Sequence, residues 1–114
     1  MPDTEGHPDR EEIDFQTVLK ALSDPMRLQV IATLAGEPEG TERTCTSFGL
    51  PVSKSTRTHH FRILREAGLV QQVDRGNSRS AQLRREDIEA RFPGLLRLIT
   101  QNAPLPPLQE LLAH

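Results

Sequence analysis

The stretch from Val52 to Val70 reads VSKSTRTHHFRILREAGLV and concentrates the polar chemistry of the chain. Ser55 and Thr56 carry short hydroxyls that can donate to or accept from base edges, Lys54 can reach a guanine edge or a phosphate, and Thr58 sits one turn further. His59 follows Ser55 at i+4 and falls on the same helix face. Arg62 lies one turn further, within reach of a sugar–phosphate backbone. After this polar and basic half come Phe61, Ile63 and Leu64, side chains suited to packing. A helix with one polar, basic end and one apolar end suits a segment that meets nucleic acid at its start and is anchored in a core at its finish. A second polar, basic cluster, Arg75, Asn77, Ser78 and Arg79, stands a short distance downstream.

Other chemistries lack their parts. There is no Gly-rich phosphate loop, no nucleophile elbow and no carboxylate pair with an adjacent base, so the sequence does not read as an enzyme. His59 and His60 are neighbours, about 100° apart on a helix, so they cannot form the i, i+4 pair that shares a metal. One is expected to face the ligand and the other to pack inward. His7 and His114 have no ligand-type neighbours. No cofactor is implied. The single Cys45 cannot form an internal disulfide, which fits a reducing, cytoplasmic setting, and it reads as a buried packing residue. No run approaches the ~20 apolar residues of a membrane span, and the N-terminus has no signal-peptide core.

The elements that must position these residues follow from local signals. Ser53 is a good helix N-cap and Gly68 a good residue just past a helix end. Upstream, Phe15, Val18, Leu19 and Leu22 recur at i, i+3, i+4 and i+7 and predict a helix. Asp24 caps a second helix with Pro25 in its first turn; Leu28, Ile31, Ala32, Leu34 and Ala35 give its buried face, and the loop 36–40 ends it. Thr41–Leu50 is weakly patterned, and a short helix over Arg43–Phe48 ending at Gly49 is the most economical reading. A short helix, a tight turn and a capped basic helix make a helix-turn-helix. Leu69–Val73 and Arg79–Leu83 read as strands around the turn Asp74–Ser78, a hairpin able to lie along phosphates or in the minor groove as a wing. Glu86–Arg91 gives a short helix. A further helix begins at Pro93 and runs through Leu95, Leu96, Leu98 and Ile99 to about Thr100, apolar enough to be buried between subunits.

The chain has 114 residues, 35% of them hydrophobic, and its aromatic side chains are four phenylalanines. That is thin material for a core and favours burial against a second copy. The net charge of −2 hides a strong asymmetry. From Ser53 to Arg85 eight basic residues stand against two acidic ones, whereas from Met1 to Asp24 two basic residues stand against seven acidic ones. The expected organisation is a disordered acidic tail (1–12), one winged helix-turn-helix domain (13–101), and a C-terminal tail (102–114) with a short helix around Leu108, Leu111 and Leu112. The fold class is mainly α with a small β-hairpin.

Two stretches resemble the ArsR/SmtB winged-helix repressors. Ala21-Leu22-Ser23-Asp24-Pro25-Met26-Arg27-Leu28 is similar to that family's entry into its second helix, and Ser53–Val70 to its recognition helix; the likeness runs over roughly Phe15–Thr100. It implies a homodimeric transcriptional regulator, a repressor, acting on double-stranded DNA. Ser53, Lys54, Ser55, Thr56, Arg57, Thr58, His59 and Arg62 would meet the operator from the helix, and Arg75, Asn77, Ser78 and Arg79 from the wing. Phe15, Val18, Leu19, Leu22, Leu95, Leu96 and Ile99 would pair the subunits. Arg57 departs from the family, which places Val, Ile or Leu there; a phosphate contact is the preferred role. The family's metal sites are mostly absent: there is no paired-thiolate motif near the third helix, and Arg91–Thr100 carries neither carboxylate nor histidine. Two alternatives stand beside this reading. One is a redox- or small-molecule-responsive sensor using Cys45 or a cavity between helices. The other is a protein-interaction module on a winged fold.

Overall fold

A computed structural model describes residues 6–103. The elements are α1 (Phe15–Leu22), α2 (Pro25–Ala35), β1 (Glu42–Thr44), α3 (Lys54–Glu66), β2 (Val70–Asp74), β3 (Arg79–Leu83), α4 (Arg85–Arg91) and α5 (Leu95–Asn102), with 3-10 turns at Arg10–Glu12 and Cys45–Phe48. The fold is mainly helical with one small antiparallel sheet, a winged helix-turn-helix.

The helix starts follow local chemistry. Asp14 accepts from the Thr17 N–H at 2.9 Å, and Asp24 accepts from the N–H groups of Met26 and Arg27 at 2.8 and 3.2 Å, with Pro25 in the first turn of α2. Each aspartate satisfies backbone donors that have no partner inside the helix. At the other end of α2, Arg85 Nη2 donates to the carbonyls of Leu34, Ala35 and Glu37. α3 begins where expected, with the Ser53 hydroxyl accepting from the Thr56 N–H.

The sheet has the order β1-β3-β2, all antiparallel. β2 and β3 form the expected hairpin, with Val70 opposite Leu83 and Asp74 opposite Arg79. The helix expected over Arg43–Phe48 is corrected. Glu42–Thr44 is an edge strand on β3, with Arg43 opposite Ala81, and only Cys45–Phe48 is helical, as a 3-10 turn. The outer backbone edge of β3 needs hydrogen-bond partners, and three extended residues supply them, a longer-range demand that local patterning does not register.

The core joins Phe61 and Leu64 of α3 to Val18 and Ala21 of α1, Val30, Ile31 and Leu34 of α2, Leu69 just before β2, Val70 and Ala81 of the sheet, Ile88 of α4, and Leu96 and Ile99 of α5. Val18, Leu96 and Ile99 are therefore spent inside the protomer. Their burial within the protomer leaves the exposed apolar surface of α1 and α5 to other side chains. Leu22 and Leu95 are half-buried, whereas Phe15, Leu19 and Leu98 are 48%, 46% and 58% exposed. α5 is thus amphipathic.

Part of the expected acidic tail (1–12) lies within the described residues. Gly6–Ile13 forms a strap across the exit of α3. Its anchors are few but specific. His7 is buried and its Nε2 accepts the Gln72 N–H at 3.0 Å. The Pro8 carbonyl accepts from Arg84 Nη1 at 2.7 Å. Ile13 is fully buried against Gly68, whose φ is +86°; a Cβ there would lie 2.6 Å from Ile13 Cγ1. Gly68 is required twice, for its left-handed backbone and for the room it leaves. Residues 1–5 and the C-terminal helix expected around Leu108, Leu111 and Leu112 lie outside the described residues.

Candidate nucleic-acid interface

α3 divides along its length. Lys54, Ser55, Thr56, Thr58, His59 and Arg62 are exposed, while His60, Phe61 and Leu64 are buried. At the N-terminus the Ser53 hydroxyl sits 3.2 Å from that of Ser55 and 3.1 Å from that of Thr56, so the three short hydroxyls form one polar cluster at the tip. His59 Nδ1 lies 3.3 Å from Arg62 Nη2 on the outer face.

The two histidines part as the helix geometry requires. The His60 ring turns inward, 3.1 Å from Arg27 Nη1. A guanidinium can only donate, so Nδ1 of His60 accepts and carries no proton. Burial holds the His60 imidazole below its ordinary value, Asp24 partly opposes this, and the nearby Arg27 charge adds to the lowering. Arg27 also donates from Nε to the Ala21 carbonyl at 2.7 Å. One guanidinium thus ties the end of α1 and the start of α2 to the middle of α3. Sequence reasoning did not pair Arg27 with His60; the available signals were an arginine just after a capping Asp-Pro and one histidine obliged to face inward.

The wing meets α3 across a cleft of about 530 Å³. Lys54, Arg57 and Thr58 line it from the helix, and Asn77, Ser78 and Arg79 from the wing; Phe61 and Cys45 also contribute. The structure therefore brings half of the expected contact residues to one concavity. Ser55, Thr56, His59 and Arg62 do not line it. The turn of the wing is held by Gly76 N–H donating to Asp74 Oδ1 at 2.9 Å and Arg75 N–H donating to the Ser78 carbonyl at 2.8 Å.

Arg75 has a partner within the protomer. Its Nε and Nη2 fork onto Glu42 at 3.0 and 2.6 Å, so it braces the wing against β1. The hydrogen bonds from Arg75 hold the Glu42 carboxyl below its usual range. Glu42 went unremarked in the sequence, because its partnership depends on β1 existing.

Gln72 is a second residue that sequence reasoning passed over. Its N–H goes to His7, its Oε1 accepts from Arg65 Nη1 at 2.6 Å, and its Nε2 lies 3.7 Å from Cys45 Sγ. Strap, wing, recognition helix and the turn before it meet at this one residue. Cys45 is 8% exposed, and burial pushes its thiol up, the Gln72 hydrogen bond and the charges of Arg79 and Arg57 offsetting only part. That is the setting of an unreactive thiol. Among the described residues no group of three or more His, Cys, Asp or Glu side chains could hold a metal ion, and no helix is long and apolar enough to cross a membrane.

Comparison with known proteins agrees with this geometry. Residues 24–72, from the cap of α2 into β2, match the family described as "Bacterial regulatory protein, arsR family". The chain is 36% identical over 81 residues to the uncharacterized HTH-type transcriptional regulator YceK of Bacillus subtilis (strain 168), an alignment covering 69% of this chain and 79% of that protein. Among solved structures it is similar to one titled "Possible transcriptional regulator for arsenical resistance", with a TM-score of 0.53, 26% identity, and 83% of this chain and 92% of that one covered. An ArsR-like transcriptional regulator from Rhodococcus sp. RHA1 shares the fold at a TM-score of 0.52 and 23% identity, covering 86% of this chain and 85% of its own.

Proposed function

Because the chain belongs to the ArsR family of helix-turn-helix, DNA-binding transcriptional regulators, we propose that it is a homodimeric repressor that places α3 in the major groove of its operator and its wing on the adjacent backbone or minor groove. The family is one of regulators and not of enzymes. The observation that carries the reading is the division of α3: Lys54 and the hydroxyls of Ser55, Thr56 and Thr58 are exposed over the first two turns, while its second half is fixed by Phe61, Leu64 and the Arg27–His60 contact. A reading helix must be rigid behind and polar in front, since base contacts specify only when the backbone that presents them is held.

A dimer is supported by what remains uncovered. Phe15 and Leu19 of α1 and Leu98 of α5 are large apolar side chains left in water, and the Phe15 ring packs at 5.2 Å on Phe92 just before α5. These residues, with Leu22 and Leu95 at their edge, are the surface for a second copy. Two subunits would set two copies of α3 about one DNA turn (~34 Å) apart. The protein would act in the cytoplasm on double-stranded DNA. The surroundings of Cys45 argue against a thiol sensor, and the family's usual metal positions are without their ligands in this sequence.

The test is a footprint on the DNA upstream of its own gene at low salt, combined with sedimentation analysis. Protection of a palindromic segment by a dimer is expected, with Leu19→Asp and Leu98→Asp giving monomers that bind at least tenfold more weakly. No protection at any salt concentration would overturn the reading.

A further inference from the structure

We infer that the cleft between α3 and the wing is an anion site that grips a phosphate group, with Arg57 as its principal ligand. Where the phosphate belongs to operator DNA, the inference rests on the function proposed above.

Most half-buried arginines of this protein have partners among the described residues. Arg10 and Arg84 hold Asp87, and Arg43 holds Glu37. Arg27, Arg85 and Arg91 hold main-chain carbonyls, and Arg65 holds the Gln72 amide. Arg57 is also half-buried, yet it makes no hydrogen bond or ion pair with any described residue. A guanidinium with no counter-charge inside the protein is available to an anion from outside it. Its setting shows where such an anion would sit. Arg57 lines the cleft beside Lys54, one turn earlier on the same helix, and beside the Thr58 hydroxyl. Across from them the wing presents the Ser78 hydroxyl and the Asn77 amide, both able to donate to phosphate oxygens.

The electrostatics agree. Lys54, Arg57, Arg65 and Arg79 line the cleft, and the one carboxylate in it, Asp74, has Oδ1 engaged by the Gly76 N–H. Phe61 and Cys45 contribute apolar surface, which keeps part of the site dry and strengthens any charge pairing in it. The planar fork of a guanidinium matches two oxygens of one phosphate, where an ammonium offers only a point charge. At about 530 Å³ the cleft exceeds a lone phosphate, so the group it takes belongs to a larger molecule, a phosphodiester strand or a soluble phosphate ester. A strand passing from the groove that α3 reads to the flank that the wing covers would cross this cleft.

The experiment uses the full chain as wild type, Arg57→Gln, Arg57→Lys and Ser78→Ala. Duplex affinity is measured against salt concentration, and binding of inorganic pyrophosphate to the DNA-free protein is followed by calorimetry. Arg57→Gln is expected to flatten the slope of log K against log salt by about one for each bound subunit, and to weaken low-salt binding by about tenfold. Arg57→Lys should keep the slope. Ser78→Ala, on a surface turn with no core packing, should weaken binding a few-fold and serves if Arg57→Gln unfolds early. Pyrophosphate binding that Arg57→Gln abolishes shows that the site also admits a soluble phosphate; a changed slope without pyrophosphate binding assigns the site to the DNA backbone. An Arg57→Gln protein that folds and matches wild type in both slope and pyrophosphate binding overturns the inference, as does a Ser78→Ala protein with wild-type affinity if Arg57→Gln cannot be folded. If wild type binds no DNA, the repressor reading falls on its own, and the cleft stands only if pyrophosphate binds and Arg57→Gln loses it.

Discussion

The strap side and the reading side of α3 use the same residue type to opposite ends. At the base, Arg10, Arg84 and Arg91 tie Gly6–Ile13 to α4 through Asp87 and through the carbonyls of Pro8, Arg10 and Glu11. On the reading side Lys54, Arg57 and Arg62 have no carboxylate partner among the described residues. Paired arginine acts there as mortar; unpaired arginine remains available to a ligand. A net charge of −2 is therefore no guide to partners, because much of the acid is spent internally or far from the reading face.

The largest effect expected at the base comes from Gly68. Gly68→Val adds a β-branched side chain at φ +86° and drives a Cβ to within 2.6 Å of Ile13 Cγ1. Strain plus overpacking should cost on the order of 2–4 kcal/mol, read as a lower urea midpoint. Loss of the strap should also loosen Gln72. If the comparison holds, the variant protein that remains folded keeps its DNA salt slope, since no reading-side cation has changed. A midpoint equal to wild type would mean that the strap does not pack on Gly68.

Asp87 tests the mortar directly. Burial alone would raise its carboxyl, but the hydrogen bonds from Arg10 and Arg84 outweigh this and hold it below the ordinary value of 3.8. With the folded value below the unfolded one, this stability is complete above about pH 4 and is lost as pH falls through the depressed value. Asp87→Asn should cost about 1–2 kcal/mol at pH 7, because Arg84, with a side chain 13% exposed, loses its counter-charge. The variant and wild type should converge in acid. A constant gap from pH 7 to pH 2 would contradict the pairing.

These contacts show what could be seen from sequence and why. The ends of α3 were legible because Ser53 and Gly68 act on their own neighbours. The wing was legible because a turn-forming run separates two strands. β1 was not, since its reason to exist is the edge of β3, far along the chain. The strap is hard to see in the sequence because its acids are conspicuous, while its anchors, His7, Pro8 and Ile13, are few and find their partners only in three dimensions. In α1 and α5 periodicity identified apolar stripes but not what covers them: Val18, Leu96 and Ile99 face the protomer's own core, and Phe15, Leu19 and Leu98 do not. For the interface residues, type and order pointed to the helix and wing; which of them share the cleft depends on the angle at which the wing meets α3.

His60 lies between the two regions and should show a smaller, pH-dependent effect. Burial lowers its value from the ordinary 6.5, and Arg27 donates to its unprotonated Nδ1. Stability from this contact is complete above about pH 6.5 and is lost as pH falls through 6.5 toward the depressed value. Urea midpoints at pH 7.5 and 5.5 should therefore differ more for wild type than for His60→Gln, which cannot titrate. Equal differences in the two proteins would remove His60 as the cause.

The smallest effect concerns a residue on the border of the comparison. Arg75 sits at the wing tip, where position alone would class it with the reading cations, yet its fork onto Glu42 classes it with the mortar. Arg75 is 57% exposed, and an ion pair so open to water contributes little to stability. Glu42→Ala should accordingly leave the urea midpoint almost unchanged. It would also release a guanidinium beside the DNA path and delete a negative charge there, so duplex affinity should rise slightly, by about twofold, with a marginally steeper salt slope. Arg75→Ala should have the milder consequence for binding, because that side chain already has its counter-charge. If instead Arg75→Ala weakens binding as much as Arg57→Gln does, the pairing with Glu42 gives way when DNA arrives. The line between mortar and ligand would then be drawn by the operator rather than by the folded protein alone.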